Sequence, residues 1–430
     1  MSSSSSLAES GTDPRDKRIR DLQALVQASK ILNSSLELDE VLKRVMELAT
    51  GLLEADRSSL FLVDRDRQEL WSKVAQGLET MEIRLPLGTG IVGQVINTGV
   101  TINTRDVRQL PFWQEDTDIR TGYHTRSVLC IPLRNKRQEI LGAVQVINKL
   151  QGSFTREDEV FLSALADHAV IALENALLHE RIVQQEKLER DLALAASIQQ
   201  GLLPSPPAGL KGLDMAAVSL PARVIGGDYY EFSCLGPQRY LVAIGDISGK
   251  GIPAALLMAN LLAGLRALAG EGIEVAGLAA RLNDLLIQGG QPDRFSTAFL
   301  GILDRGRGLL TYTNAGHCVP LLVDRHGHVR LLEAGGLALG ILEGVTYDAE
   351  AVELEPESLC LLYTDGIPEA ENVQGHLYGK DRLHDLVLAH HRQSAQSLLD
   401  HILADVRAFA GEAPQSDDLT LVSLRIAPCE

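Results

Sequence analysis

The chain has 430 residues, 45% hydrophobic and 23% charged, with 40 Lys and Arg against 57 Asp and Glu for a formal charge of -17. That length calls for two folded domains rather than one, and the acidic excess excludes a nucleic acid or an anionic membrane as the main partner. The five cysteines (Cys130, Cys234, Cys318, Cys360, Cys429) lack CxxC spacing, which excludes a zinc knuckle and leaves idle thiols in a reducing compartment.

Residues 1–20, opening with Ser2 to Ser6 and continuing through Asp13 to Arg18, are too poor in apolar groups to order and are expected to form a disordered tail, not a signal peptide. Helical periodicity begins at Leu22 and again after Glu37, where Val41, Val45, Leu48 and Leu52 share a face. Ser58 to Val63, Arg84 to Leu87, Val128 to Pro132 and Leu141 to Asn148 read as strands. A helix follows the Thr155 cap, with Glu157, Asp158 and Glu159 in its first turn. These elements define a domain over 21–175 with an antiparallel sheet and flanking helices.

Between Ile171 and Leu203 there is no Pro and one Gly. Leu178, Ile182, Leu188, Leu192, Ala195 and Leu202 recur at three-, four- and seven-residue steps. Residues 176–204 are therefore expected to be a helical, coiled-coil-like linker with a self-association seam, ended by Pro204, Pro206 and Pro207; one amphipathic helix packed on its own domain is the other reading. No run reaches the ~20 apolar residues of a membrane helix, so a soluble, cytoplasmic protein is expected. Over 205–430, strands (Tyr240 to Asp246, Ser296 to Leu303, Leu309 to Asn314, Leu359 to Asp365, Leu419 to Ile426) alternate with helices (Pro253 to Ala269, Val275 to Leu286, Tyr378 to His390, Ala395 to Ala410). Short joins favour antiparallel sheets flanked by helices, an α+β fold rather than a doubly wound one.

Four acidic segments in this second domain are expected at strand ends: Gly226-Gly227-Asp228, Gly245 to Gly249 around Asp246, Thr364-Asp365-Gly366 and Ser416-Asp417-Asp418. Any one Asp beside Gly is ordinarily a turn. Several carboxylates delivered to one place, without thiols or imidazoles, suit a hard divalent cation.

The segments Val224 to Tyr230, Gly245 to Ala254, Asn314-Ala-Gly-His317, Tyr363 to Ala370 and Asp417-Asp-Leu-Thr420 resemble, in order, the motifs of the metal-dependent PPM (type 2C) serine/threonine phosphatases, nearest the SpoIIE-like bacterial branch. The resemblance implies an αββα sandwich and two Mn2+ or Mg2+ ions. Asp228 would bridge them, Asp246 and the carbonyl of Ile247 would serve one, and Asp365 and Asp417 the other, with Asp418 able to substitute for Asp417. It implies attack by a metal-activated water on phosphoserine or phosphothreonine of a regulatory protein such as an anti-sigma-factor antagonist. The phosphate-clamping Arg of eukaryotic members has no counterpart beyond the nearby Arg223; Glu231 replaces a common Asp, and His317 is either a proton donor or a hydrogen-bonded strand-end residue. A non-catalytic docking module and a small phosphate-ester hydrolase are the competing classes.

Residues 21–175 resemble a GAF sensor domain. Asn148, Lys149, Phe154, Asp158 and Glu159 follow the pattern of cyclic-nucleotide-binding GAF domains, which leaves two readings, a cyclic nucleotide or other small ligand, or an internal salt bridge in a homodimerising GAF domain. Gly88 to Gly93 satisfies GxGxxG but lacks a βαβ context, so a tight turn into a short helix is expected.

Overall fold

A computed structural model describes residues 14–32, 34–72, 83–113, 124–206, 212–270, 272–289 and 294–427. Ser2 to Ser6, Pro207 and Cys429 lie outside the described residues. The chain divides into two compact units, Met1–Lys187 and Leu188–Glu430.

The first unit opens with α1 (Pro14–Leu32) and α2 (Leu38–Leu52). Helix therefore begins inside the expected tail. Pro suits a first helical position, and the Lys and Arg that follow are good helix formers, so low apolar content did not prevent it. Strands β1 (Ala55–Asp64), β2 (Glu69–Ser72), β3 (Ile83–Pro86), β4 (Ile102–Thr104), β5 (Val128–Arg134) and β6 (Ile140–Lys149) form a six-stranded sheet in the order β3-β2-β1-β6-β5-β4. Strand alternation sorts its side chains. Leu60 and Leu62 join α2 in one core, while Phe61 faces α3 (Gly90–Thr98) in another. The Gly-rich segment is the expected tight turn into a short helix: Gly88 and Gly90 have φ of 94° and 66°.

Helix α4 (Arg156–Leu202) starts from a reciprocal cap in which Asp158 N donates to Thr155 Oγ1 (3.2 Å) and Thr155 N to Asp158 Oδ2 (2.8 Å). Its first turns bury Leu162, Leu165, Ala169 and Leu173 in the core under the sheet. Farther on, Leu178, Ile182, Val183, Leu188, Leu194 and Ile198 are exposed. Contrary to the expectation that no run would qualify, α4 is long and apolar enough to cross a membrane, by length and composition. Its N-terminal apolar residues are those that close the first core.

The second unit stacks two sheets. Strands β8 (Tyr229–Gly236), β9 (Arg239–Ile247), β10 (Ser296–Asp304) and β11 (Leu309–Ala315) form one, with short β14 (Gly335–Gly336) and β15 (Glu350–Glu353) beside β11. The other has the order β13-β12-β16-β17-β7, from β7 (Leu213–Leu220), β12 (Leu321–Val323), β13 (Val329–Leu331), β16 (Leu359–Tyr363) and β17 (Leu419–Ile426). Helices α5 (Ile252–Leu268) and α6 (Val275–Gln288) cover the first sheet, and α7 (Lys380–His390) and α8 (Ala395–Ala410) the second. Val242, Ile244, Phe299 and Tyr312 meet Cys360, Leu362 and Val422 between the sheets. The result is the expected αββα sandwich.

Candidate active site

The acidic segments do not all end strands. Asp246 is the penultimate residue of β9 and Asp365 lies just past β16, but Asp228 precedes β8 and Asp417-Asp418 precede β17. Antiparallel pairing explains the convergence, because the start of one strand lies beside the end of its neighbour. Tyr229 pairs with Gly245, and Tyr363 with Leu421. Stacking then brings the two pairs of loops together.

Asp228 is buried, and its Oδ2 accepts from the hydroxyl of Thr364 across the two sheets (2.8 Å). A Cβ on Gly227 would stand 3.0 Å from both Asp246 Oδ1 and the carbonyl of Ile247, so glycine there lets the chain lie against these oxygens. The two aspartates at 417 and 418 differ sharply. Asp418 is buried and fully engaged with backbone amides: Oδ1 accepts from Ala222 N (2.7 Å), Oδ2 from Gly227 N (2.8 Å) and Asp228 N (3.4 Å). Asp417 is half-exposed, and its Oδ2 pairs with Lys250 Nζ at 2.9 Å, while that ammonium also donates to Ser416 O (2.7 Å).

Burial raises the affinity of Asp228, Asp246 and Asp365 for protons, and mutual repulsion adds to it: Asp246 acts on Asp228, Asp365 and Asp417 on Asp246, and Asp417 on Asp365. A divalent cation would relieve this repulsion, and the all-oxygen donor set has the right chemistry for one. Among the described residues no group of three or more His, Cys, Asp or Glu is arranged to hold a metal ion. Asp417 is turned onto Lys250, a half-exposed pair worth at most about 1 kcal/mol.

The remaining residues fall into supporting places. His317 is buried, with Nδ1 2.9 Å from Thr297 Oγ1 and its backbone N donating to Asn314 Oδ1 (2.7 Å). Burial pushes it down to about 4, which keeps it neutral. Glu231 is buried on β8 and paired with Arg266 (2.8 Å), whose Nη2 also donates to Leu202 O at the end of α4. Arg223 is exposed.

One contact was not foreseen. The side-chain amide of Gln199, on α4, pairs with the backbone of Gly226: Nε2 donates to its carbonyl (2.6 Å) and its N–H donates to Oε1 (3.1 Å). The sequence signal for it is weak: Gln199, like Gln185, is a polar residue interrupting the apolar seam of the linker.

In the first unit, Lys149 Nζ meets Asp158 at 2.9 Å, donates to Leu53 O (3.2 Å) and lies 5.7 Å from the Phe154 ring centre. Asn148, at φ 56°, accepts from Arg126 N (2.7 Å) and Ser127 N (3.3 Å) and donates to His124 O (2.8 Å). Glu159 pairs with Arg156 on the surface. Within this pattern Lys149 and Asp158 tie β6 to the start of α4, while Asn148 ties the end of β6 to the segment entering β5.

Residues 236–427 match the family model described as Stage II sporulation protein E (SpoIIE), and residues 37–173 match the GAF domain model. The chain is 31% identical over 242 residues to phosphoserine phosphatase RsbU of Bacillus subtilis, covering 56% of this chain and 71% of that protein. It is 34% identical over 175 residues to the probable 3',5'-cyclic phosphodiesterase pde-5 of Caenorhabditis elegans, 38% of this chain and 24% of that protein. Among solved structures, the SiaA-PP2C domain of Pseudomonas aeruginosa superposes with a TM-score of 0.51 at 26% identity, over 56% of this chain and 98% of that one.

Proposed function

Because the chain belongs to the SpoIIE family of phosphatases and carries a GAF domain, we propose that its acidic centre is a two-cation site that hydrolyses phosphoserine or phosphothreonine on a regulatory protein. The observation that carries this reading is the convergence of Asp228, Asp246 and the Ile247 carbonyl at Gly227, with Asp365 and Asp417 on the adjoining loops. In it Asp228, Asp246, the Ile247 carbonyl, Asp365 and Asp417 would hold the two ions. The amide bonds of Asp418 support a bracing role for that residue rather than a ligand role. Manganese or magnesium, when bound, supplies an acidified water and neutralises phosphoryl charge.

The chain's own groups prepare the site. Thr364 orients Asp228, Asp418 fixes the 226–228 backbone, and Asp417 must release Lys250 to complete the donor set. Buried, neutral His317, anchored through Nδ1 to Thr297 and through its backbone N to Asn314, supports a structural role rather than that of proton donor.

The exposed apolar residues of α4 favour a homodimer through the linker, and the GAF domain is the natural place for a small ligand, for which a cyclic nucleotide is the first to test. A cytoplasmic setting is in keeping with free Cys130, Cys234, Cys318 and Cys360. The test is phosphate release from a phosphoserine protein with and without manganese, in the wild type and in Asp228→Asn and Asp365→Asn. Activity that needs no metal, or survives both substitutions, overturns the proposal.

A further inference from the structure

The surface beside the acidic centre is unusually apolar. Ile252, Leu256, Phe295, Leu337, Ile341 and Leu342 are each 39 to 67% exposed. Backbone contacts tie them to one place. Phe295 N donates to Ser248 Oγ (3.0 Å) and Phe295 O accepts from Ser248 N (2.9 Å). Ser248 is only two residues, at most about 7 Å of chain, beyond Asp246. The next residue, Ser296, exchanges backbone bonds with Leu339 (2.8 and 2.9 Å), which brings the 337–342 loop alongside. Buried Asn283 fixes that loop by accepting from Gly340 N (2.9 Å) and donating to Leu342 O (3.0 Å). Ile252 and Leu256, one turn apart on α5, continue the surface from the other side of the Ser248 loop.

The loop is anchored by Leu339, which is fully buried in the core beneath the first sheet, while Leu337, Ile341 and Leu342 on either side of it stay exposed. Asn283 supplies two polar bonds to a segment that leaves Leu337, Ile341 and Leu342 in water, and exposed apolar area of this kind marks an interaction surface. Charge identifies its occupant. The centre is rich in carboxylates within a chain of charge -17, so a phosphoprotein is repelled at long range and gains little from steering. Two cations border the apolar surface: Lys250, and Arg294, whose Nη1 donates to Ser248 O (2.6 Å). They complement a phosphoserine dianion, while the apolar residues complement what flanks it.

We propose that this surface docks the phosphoprotein substrate by the apolar residues next to its phosphoserine, an inference that rests on the phosphatase reading above. Affinity then comes from burial of apolar side chains rather than from net charge. A second copy of the chain is the rival occupant.

The test uses two fluorescent phosphoserine decapeptides, one with leucines flanking the phosphoserine and one with serines. Anisotropy reads their binding whether or not turnover follows. Wild-type protein is expected to bind the leucine peptide about tenfold more tightly. Leu256→Asp and Ile341→Asp should bring the ratio near one, and Val329→Asp, on the distant β12–β13 hairpin, should leave it intact. Equal binding of both peptides by wild type, or an undiminished preference in Leu256→Asp, overturns the proposal. So does a Leu256→Asp protein that changes only its mass by light scattering, which assigns the surface to a second copy. A preference that is present with no manganese-dependent phosphate release supports docking and counts against hydrolysis alone.

Discussion

The side chain of Gln199 and the backbone of Gly226 form a two-way amide pair, linking the last turn of α4 to the loop that carries Asp228. A change in the position of that helix end is therefore felt two residues from the proposed ligand Asp228. Replacing Gln199 with Ala removes both bonds and leaves buried Gly226 groups unsatisfied, a cost of about 1–3 kcal/mol. The apparent manganese affinity should weaken roughly tenfold, read from phosphate release against metal concentration. An unchanged metal dependence would show that the pair does not position the loop.

Asp417 and Asp418 should separate in experiment. Asp418→Ala strips acceptors from three amides and should lower stability by about 2–4 kcal/mol, seen in metal-free thermal unfolding. Asp417→Asn breaks only a half-exposed ion pair and should leave metal-free stability within about 1 kcal/mol while weakening metal binding by calorimetry. The opposite pattern would exchange the two roles.

The carboxylates predict a pH signature. Asp246 is raised from 3.8 to about 7, by burial first and then by Asp365 and Asp417. A folded-state value above the unfolded one means the native state holds more protons in that window, so stability falls as pH rises through it. Metal-free Asp246→Asn, which never ionises there, should melt higher than wild type at pH 8 and close to it at pH 4. Comparing the two proteins cancels the opposing effect of His317, whose lowered value costs stability as pH falls below 6.5. A melting difference that does not grow with pH would refute the assignment.

In the GAF domain, Lys149→Met leaves Asp158 largely buried without its partner. The first unit should lose roughly 2–4 kcal/mol. If the pair instead serves mainly a ligand, the melting curve will hold and only binding of cyclic AMP or cyclic GMP, measured by calorimetry, will change.

Much of this was legible in the chain. Val41 and Val45 announced a buried helix face, Ala395 to Ala410 and Leu419 to Ile426 were read with their observed bounds, and the five ordered motifs placed Asp228, Asp246, Asp365 and Asp417 in one domain. These features rest on local periodicity and turn chemistry, which a chain carries in itself. Short β13 and β14 were missed, since two or three residues carry no period and are defined only by the strands they join.

What the sequence could determine, then, was the set of donors and the elements that carry them. Tertiary structure alone decided which of two adjacent aspartates is taken up by backbone amides, because Ala222, Gly227 and Asp228 offer their N–H groups to Asp418 across about 190 residues of chain. It also decided that Gln199 closes on Gly226 and that backbone bonds tie Phe295 to Ser248 and Ser296 to Leu339. Those relationships arise from the stacking of two sheets, and no window of neighbouring residues contains them.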